Sequence, residues 1–145
     1  MITKPLLAVS LLTAAASAQC ATLTITGTGL PGTTLQVTHD GTAANTLALL
    51  AVSETQGTNV VDLGPLGSLT LGVQFPLIPF PLGLTDANGD VSRSFDVPSA
   101  ATLGFDVFGQ GVTLDFSFSI PAGGGMPTFS LSSCASNVVA FHVGV

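Results

Sequence analysis

One short segment of this chain has residue types and spacing that could bind a metal ion. Asp86, Asn88 and Asp90 are separated by single residues, and carboxylate and amide oxygens in a turn are the ligands that Ca²⁺ prefers. An EF-hand loop also has Gly at its sixth position and Glu at its twelfth, where this chain has valine both times. The Asn-Gly pair is the strongest short signal for a hairpin turn. A hairpin turn is therefore the preferred interpretation, with weak Ca²⁺ binding as the alternative.

The two histidines, His39 and His142, are the other candidates for metal binding or general base catalysis. A zinc site needs three or four converging ligands, and the chain has no His-x-His or His-x-x-x-His spacing. Both are interpreted as histidines near strand ends. The chain also lacks the Gly-x-Ser-x-Gly, Walker and His-Glu-x-x-His motifs. We therefore expect no enzyme activity, and no cofactor apart from the Ca²⁺ alternative.

Arg93 is expected to have a structural role. It lies two residues from both Val91 and Phe95, so in a strand its side chain should point to the same, apolar face as theirs. A buried guanidinium group needs a carboxylate partner, which predicts an internal ion pair, with a ligand-binding arginine as the alternative. The nearest carboxylates in sequence are those of Asp96, Asp106 and Asp115.

Residues 1–18 have the features of a secretory signal peptide. A positive residue precedes an apolar run over Pro5–Leu12, and small residues lead up to a cleavage point after Ala18. The run is shorter than the ~20 residues that span a bilayer, so no membrane span is expected. Export to the cell exterior or surface favours a disulfide between Cys20 and Cys134.

After residue 18 the chain has one Lys or Arg residue, Arg93, and eight Asp and Glu residues. Nucleic acid is therefore excluded as an expected partner, because binding it requires Lys and Arg to displace counterions from phosphates. Exposed sheet edges are usually protected from pairing by lysine, proline or inward-pointing charges. Since no lysine follows residue 18, we expect self-association, or strand addition to a protein partner, through sheet edges.

The alternation of apolar and polar residues along the chain indicates β-strands. In Val112–Ile120 it is clearest, and we expect one face in the core and the other in solvent. Thr46–Val52 is apolar at nearly every position, as in a central strand buried on both faces. Prolines within 75–84 predict an edge strand or a packed loop. Thr128–Ser132 and Asn137–Val143 predict two closing strands.

These segments together predict one all-β domain over residues 19–145. Turn residues separate short alternating strands, which is typical of a single antiparallel β-sandwich, Ig-like or jelly-roll-like, of about eight to ten strands. No segment has apolar residues at helical spacing over the length that a helix needs.

Several turn-rich motifs occur in a familiar order: Val61–Gly67, Leu84–Asp90, Leu103–Gln110 and then Leu114-Asp115. This order resembles the small uncharacterised β-sandwich modules at the C-termini of secreted proteins from planctomycetes and similar bacteria. The resemblance implies an extracellular accessory or bacterial surface module, and no catalytic residue is carried over from it. Because the cysteines stand in different contexts, the disulfide pairing of those modules is not carried over to this chain.

The function predicted from the sequence is that of a secreted, non-catalytic module with a structural or protein-interaction role. The alternative is an extracellular module that binds a glycan or Ca²⁺. The chain has neither Trp nor Tyr, which are the usual platforms for sugars, so the first interpretation is preferred.

Overall fold

The computed structural model describes residues 20–41 and 43–145. The predicted signal peptide, residues 1–18, lies outside them. The described chain folds into nine strands and one short 3-10 turn over Gly64–Leu66. The strands are β1 (Thr22–Thr26), β2 (Thr34–Asp40), β3 (Leu47–Ser53), β4 (Gln56–Asp62), β5 (Ser68–Val73), β6 (Ile78–Leu84), β7 (Asp90–Asp96), β8 (Phe105–Ser119) and β9 (Thr128–Val143).

The strands form antiparallel sheets that pack face to face. A central sheet has the order β6-β3-β8-β9, a second sheet has the order β1-β2-β7, and β4 pairs with β5 as a two-stranded sheet. The second sheet covers one face of the central sheet, and the β4–β5 pair covers part of the other. The predicted all-β antiparallel sandwich is confirmed, and its nine strands lie within the expected range.

β3 lies between the two covering layers. Leu50 and Val52 pack in the core shared with the β1-β2-β7 sheet, whereas Ala51 packs in the core shared with β5. Successive side chains of a strand point to opposite faces, so a strand between two layers needs apolar residues at every position. The double burial predicted for this segment is confirmed.

β6 is the outer strand of the central sheet. It contains Pro79 and Pro81, which have no N–H to donate to a ladder and are therefore tolerated at an edge. Of the two interpretations for this proline-rich segment, the structure selects the edge strand.

β9 is a single strand, whereas the sequence predicted two. Its pairing with β8 shifts between Gln110 and Val112, because β9 has an extra residue on its side of the ladder. The Ser136 hydroxyl accepts a hydrogen bond from the Gly111 N–H at 2.8 Å. The irregularity therefore lies within the strand and is a β-bulge, which a strand can contain without ending.

The same bulge connects the two larger sheets. The Asn137 side chain accepts a hydrogen bond from the Leu23 N–H at 2.7 Å and donates one to the Leu23 carbonyl oxygen at 3.2 Å. Leu23 is in β1, the outer strand of its sheet. The Asn137 side chain thus hydrogen-bonds both backbone groups of Leu23 at this edge. Those groups cannot then pair with a strand of another chain.

Candidate functional site

The distal half of the β8–β9 ribbon extends beyond the rest of the central sheet. β3 pairs with β8 up to Leu114, and from Asp115 to Ser119 the pairing described for β8 is with β9. We call residues 115–132, the two strand ends and the loop between them, the arm. The rest of the described chain is called the body.

One face of the arm is apolar and exposed. Phe116 lies opposite Leu131 and Phe118 opposite Phe129 in the ladder, and the rings of Phe116 and Phe129 have centroids 6.0 Å apart. Phe116, Phe118 and Ile120 are 53%, 64% and 67% exposed. These side chains form one continuous surface, which we call the apolar face of the arm.

The expectation that this face of Val112–Ile120 is core is therefore correct for one half only. Val112 is buried against Leu71 and Val73 of β5. Beyond Leu114 no residue of the described chain covers the apolar side chains to the same degree. The alternation predicted which side chains share a face, but the length of the covering β4–β5 layer decided which of them are buried.

The other face of the arm carries short polar groups. Asp115, Ser117 and Ser119 alternate with the apolar residues of β8, and the hydroxyls of Ser117 and Ser130 are hydrogen-bonded to each other. No Asp, Glu, Lys or Arg follows Asp115 in the sequence. The arm therefore has one charged residue, at its root.

A second apolar surface lies at the other end of β8, between the two larger sheets. A space of about 480 Å³ opens there, and four of its lining residues are phenylalanines. We call this space the cleft. Its phenylalanines are Phe80, Phe95, Phe105 and Phe141.

Contacts between β6 and β7 close one side of the cleft. These strands belong to different sheets, and the rings of Phe80 and Phe95 meet edge to face with centroids 5.7 Å apart. The Arg93 guanidinium lies 5.6 Å from the centre of the Phe95 ring and donates a hydrogen bond to the Pro81 carbonyl oxygen. Aromatic and cation–π contacts of this kind each stabilise by about 0.5–1.5 kcal/mol.

The ion pair predicted for Arg93 is not found among the described residues, which include all three candidate carboxylates. Arg93 lies opposite Val37 in the ladder, so it is on the inner face as predicted. Because β7 is an outer strand, its side chain reaches the sheet margin and is exposed. A carbonyl oxygen and an aromatic ring there take the place of the carboxylate.

The mouth of the cleft combines exposed apolar residues with acidic ones. Ile78 and Phe105 are 58% and 48% exposed. The charged residues that line the cleft are Glu54 and Asp96. The Asp96 carboxylate accepts a hydrogen bond from the Thr34 hydroxyl at 2.9 Å, whereas Glu54 follows the last residue of β3 and is exposed.

The segment Asp86–Asp90 forms a turn between β6 and β7. The Asp86 carboxylate accepts hydrogen bonds from the backbone N–H groups of Asn88 at 2.8 Å and Asp90 at 3.0 Å. These hydrogen bonds, that from Asp90 first, lower the pKa of Asp86. The turn joins strands of different sheets rather than a paired hairpin. In the described part of the chain, no three His, Cys, Asp or Glu side chains are grouped so that they could hold one metal ion.

His39 is the most deeply buried titratable residue described. It is the penultimate residue of β2 and is 0% exposed, and neither ring nitrogen has a hydrogen-bond partner among the described residues. Burial lowers its pKa. A Cβ atom at Gly111 would lie 2.2 Å from the His39 ring, so this close packing requires glycine there.

His142 is in a different environment, on the surface of the β8–β9 ladder. Its Nδ1 atom lies 2.8 Å from a carboxylate oxygen of Asp106, the residue directly opposite in the ladder. The hydrogen bond to Asp106 raises the pKa of His142. The two histidines are therefore near strand ends, as predicted, but with opposite pKa shifts.

Cys20 and Cys134 form a disulfide with their Cα atoms 5.9 Å apart, as predicted. Cys134 lies opposite Thr113 in the ladder, beside the root of the arm. The bond thus ties the segment that precedes β1 to the point where the ribbon leaves the body.

The sequence predicted neither the cleft nor the bare apolar face. The arm did have a signal, because its alternating Phe residues lie in a C-terminal stretch without charge. The cleft had none, since its phenylalanines come from four strands whose spacing depends on how two sheets pack.

The fold and these two surfaces define an all-β antiparallel sandwich with an exposed hairpin arm. No model of a known protein family matches the chain, and no curated protein or solved structure does so. Within the described residues, no helix is long and apolar enough to cross a membrane.

Proposed function

We propose that this chain is a secreted, non-catalytic module that acts at the cell exterior by associating with other copies of itself through the arm. The observation that carries the proposal is the exposed apolar face of Phe116, Phe118, Ile120, Phe129 and Leu131. Contiguous apolar patches are small on monomeric proteins, and larger ones mark interaction sites. The disulfide and the resemblance to secreted bacterial modules support the location.

The area of the face is consistent with a protein partner. A fully exposed phenylalanine offers about 200 Å², so three that are half exposed or more offer on the order of 300 Å². Ile120 adds to this surface, and Met126 in the loop of the arm is 89% exposed. A stable interface buries about 800 Å² on each partner, and side-by-side strands would supply the remainder through backbone contacts.

Charge favours a second copy as that partner. The chain has a net charge of −6, so two copies repel each other over most of their surface. The arm beyond Asp115 has no charged residue, and the repulsion there is weakest. A patch without charge that pairs with itself suits a two-fold interface, in which both copies use the same residues.

The edges of the arm also favour association. Beyond Leu114 the outer edge of β8 has no partner strand among the described residues, and β9 is the outer strand on the other side of the arm. Between Val112 and Ser119 there is no proline or lysine, the residues that usually prevent strand addition. Strand addition between two arms would join their apolar faces into one wider surface.

Analytical ultracentrifugation tests the proposal on the oxidised chain without its leader. We expect a concentration-dependent dimer or larger assembly that becomes monomeric in the triple variant Phe116→Ser, Phe118→Ser and Phe129→Ser. The matched control is Val60→Ser with Leu103→Ser, which removes exposed apolar side chains outside the arm and should still associate. A wild-type chain that stays monomeric at millimolar concentration would contradict the proposal.

A further inference from the structure

We propose that the cleft binds a small apolar molecule whose polar end is neutral or positively charged. The inference rests on the volume, the lining and the charge of the space between the two larger sheets. It is independent of self-association, because the arm and the cleft lie at opposite ends of β8.

The volume of the cleft is too large for ordinary packing. Protein interiors are filled to the density of organic crystals, and few of their voids exceed the size of a water molecule. The cleft holds about 480 Å³, while an apolar cavity of about 150 Å³ is enough to take up benzene. Sites for small molecules span about 300–1,000 Å³, so the space fits one alkyl chain or a compound of a few rings.

The lining of the cleft favours apolar ligands over water. Val37, Leu50 and Val52 belong to the core between the two larger sheets and also line the cleft. The cleft therefore continues that core, and side chains do not fill it. Water there would find few hydrogen-bond partners, whereas an apolar molecule would remove further apolar surface from solvent.

The walls of the cleft are formed before a ligand arrives. Val52, Val107 and Phe141 belong to three neighbouring strands of the central sheet. The Phe80–Phe95 contact and the Arg93 hydrogen bond join the opposite walls along one side. A site on paired strands needs little ordering when it binds, which favours affinity.

Charge at the mouth selects the polar end of the ligand. Glu54 and Asp96 are the charged residues that line the cleft. The Asp96 side chain alternates with that of Phe95 and is hydrogen-bonded to Thr34 on the outer face of its sheet. Glu54 therefore supplies the charge at the mouth. Arg93 keeps its positive charge, but its guanidinium is hydrogen-bonded to Pro81, three residues along β6 from Ile78 at the mouth and so about 10 Å away. A ligand carboxylate at the mouth would meet the like charge of Glu54, so a fatty acid is disfavoured relative to an alcohol or an ammonium compound with the same chain.

Displacement of Nile red by three ten-carbon probes tests this selectivity below micellar concentrations. We expect saturable binding of decyltrimethylammonium and decan-1-ol at least about fivefold tighter than that of decanoate, since one charge at contact distance in water contributes about 1 kcal/mol. Equal binding of all three probes, or no saturable binding, would overturn the proposal.

Two substitutions locate the site. Val52→Phe places a larger side chain in the cleft and should weaken the binding of decyltrimethylammonium by about tenfold or more. Glu54→Lys changes an exposed residue and should reverse the preference, so that decanoate binds more tightly than decyltrimethylammonium. If the first variant does not fold, the second still decides, because an unchanged preference in Glu54→Lys would contradict the site.

The triple arm variant separates this proposal from self-association. Phe116→Ser, Phe118→Ser and Phe129→Ser should leave probe binding unchanged, and NMR shift changes on adding decyltrimethylammonium should map to Val107 and Phe141. Loss of probe binding in that variant would place the probe on the arm and overturn the cleft. Monomeric protein that still binds the probe would contradict only the proposed association.

Discussion

The two halves of the β8–β9 ribbon have the same alternating pattern and different surroundings. In the body half, Val112 is 4% exposed beneath β5. In the arm half, Phe118 is 64% exposed, although it lies on the same face of the same strand. Alternation determines which side chains share a face, and a covering layer determines whether that face is buried.

This difference separates stability from association. Burying a Val, Leu or Phe side chain contributes about 1.5–3 kcal/mol to folding, and the body half gains this within one chain. The arm half leaves the same kind of side chain in water. The arm can recover that free energy only against a partner, which makes the body the folding unit and the arm the candidate interface.

The largest expected effect distinguishes the two halves directly. Leu71→Ala removes a side chain that is 4% exposed and packs against Val112, so we expect it to lower the free energy of unfolding by about 2–5 kcal/mol. Phe118→Ala removes a larger side chain, but it should lower the free energy of unfolding of the monomer by only about 0.5 kcal/mol or less. Urea unfolding at low protein concentration measures both, and equal losses would show that the arm is packed in the monomer.

Removing the disulfide should have the next largest effect. Cys20→Ser with Cys134→Ser opens a loop with a sequence separation of 114 residues, which should lower the free energy of unfolding by about 2–5 kcal/mol. Because Cys134 lies at the root of the arm, hydrogen exchange should also become faster at the bulge. A variant that unfolds at the same urea concentration as the wild type would show that the bond contributes nothing to the body.

The pH dependence should be smaller and confined to the body. Burial lowers the pKa of His39 below its usual value near 6.5, so the unfolded chain binds a proton that the folded chain rejects. The His39 contribution is complete above pH 6.5 and is lost as pH falls towards the folded pKa. His142, with its raised pKa, acts in the opposite sense, and its contribution is present below pH 6.5 and lost as pH rises through the folded pKa.

Single variants separate these two contributions. In His142→Gln, which retains His39, the urea midpoint of unfolding should decrease as the pH is lowered from 7 to 5. In His39→Leu this decrease should be absent. Association through the arm should be unchanged between those pH values, because the arm has no titratable group beyond Asp115. Association that weakens in parallel with body stability would place the interface elsewhere.

The sequence predicted most of the fold because the signals for it are local. Alternation located the strands, the fully apolar segment identified β3 as central, and the prolines identified β6 as an edge. The division of β9 was wrong because polar residues at a bulge resemble a turn. The Arg93 ion pair is not found among the described residues, where the side chain instead reaches the margin of its sheet. The cleft depends on the separation of two sheets, which no run of residues encodes.

Hydrogen exchange at two protein concentrations distinguishes a chain that associates through the arm from one that stays monomeric. We expect amides of the arm, residues 115–132, to exchange more slowly as the concentration rises from micromolar to millimolar, while amides of β3 exchange at the same rate at both. Equally fast exchange of the arm amides at both concentrations would contradict association through the arm, because no second copy would then cover the apolar face.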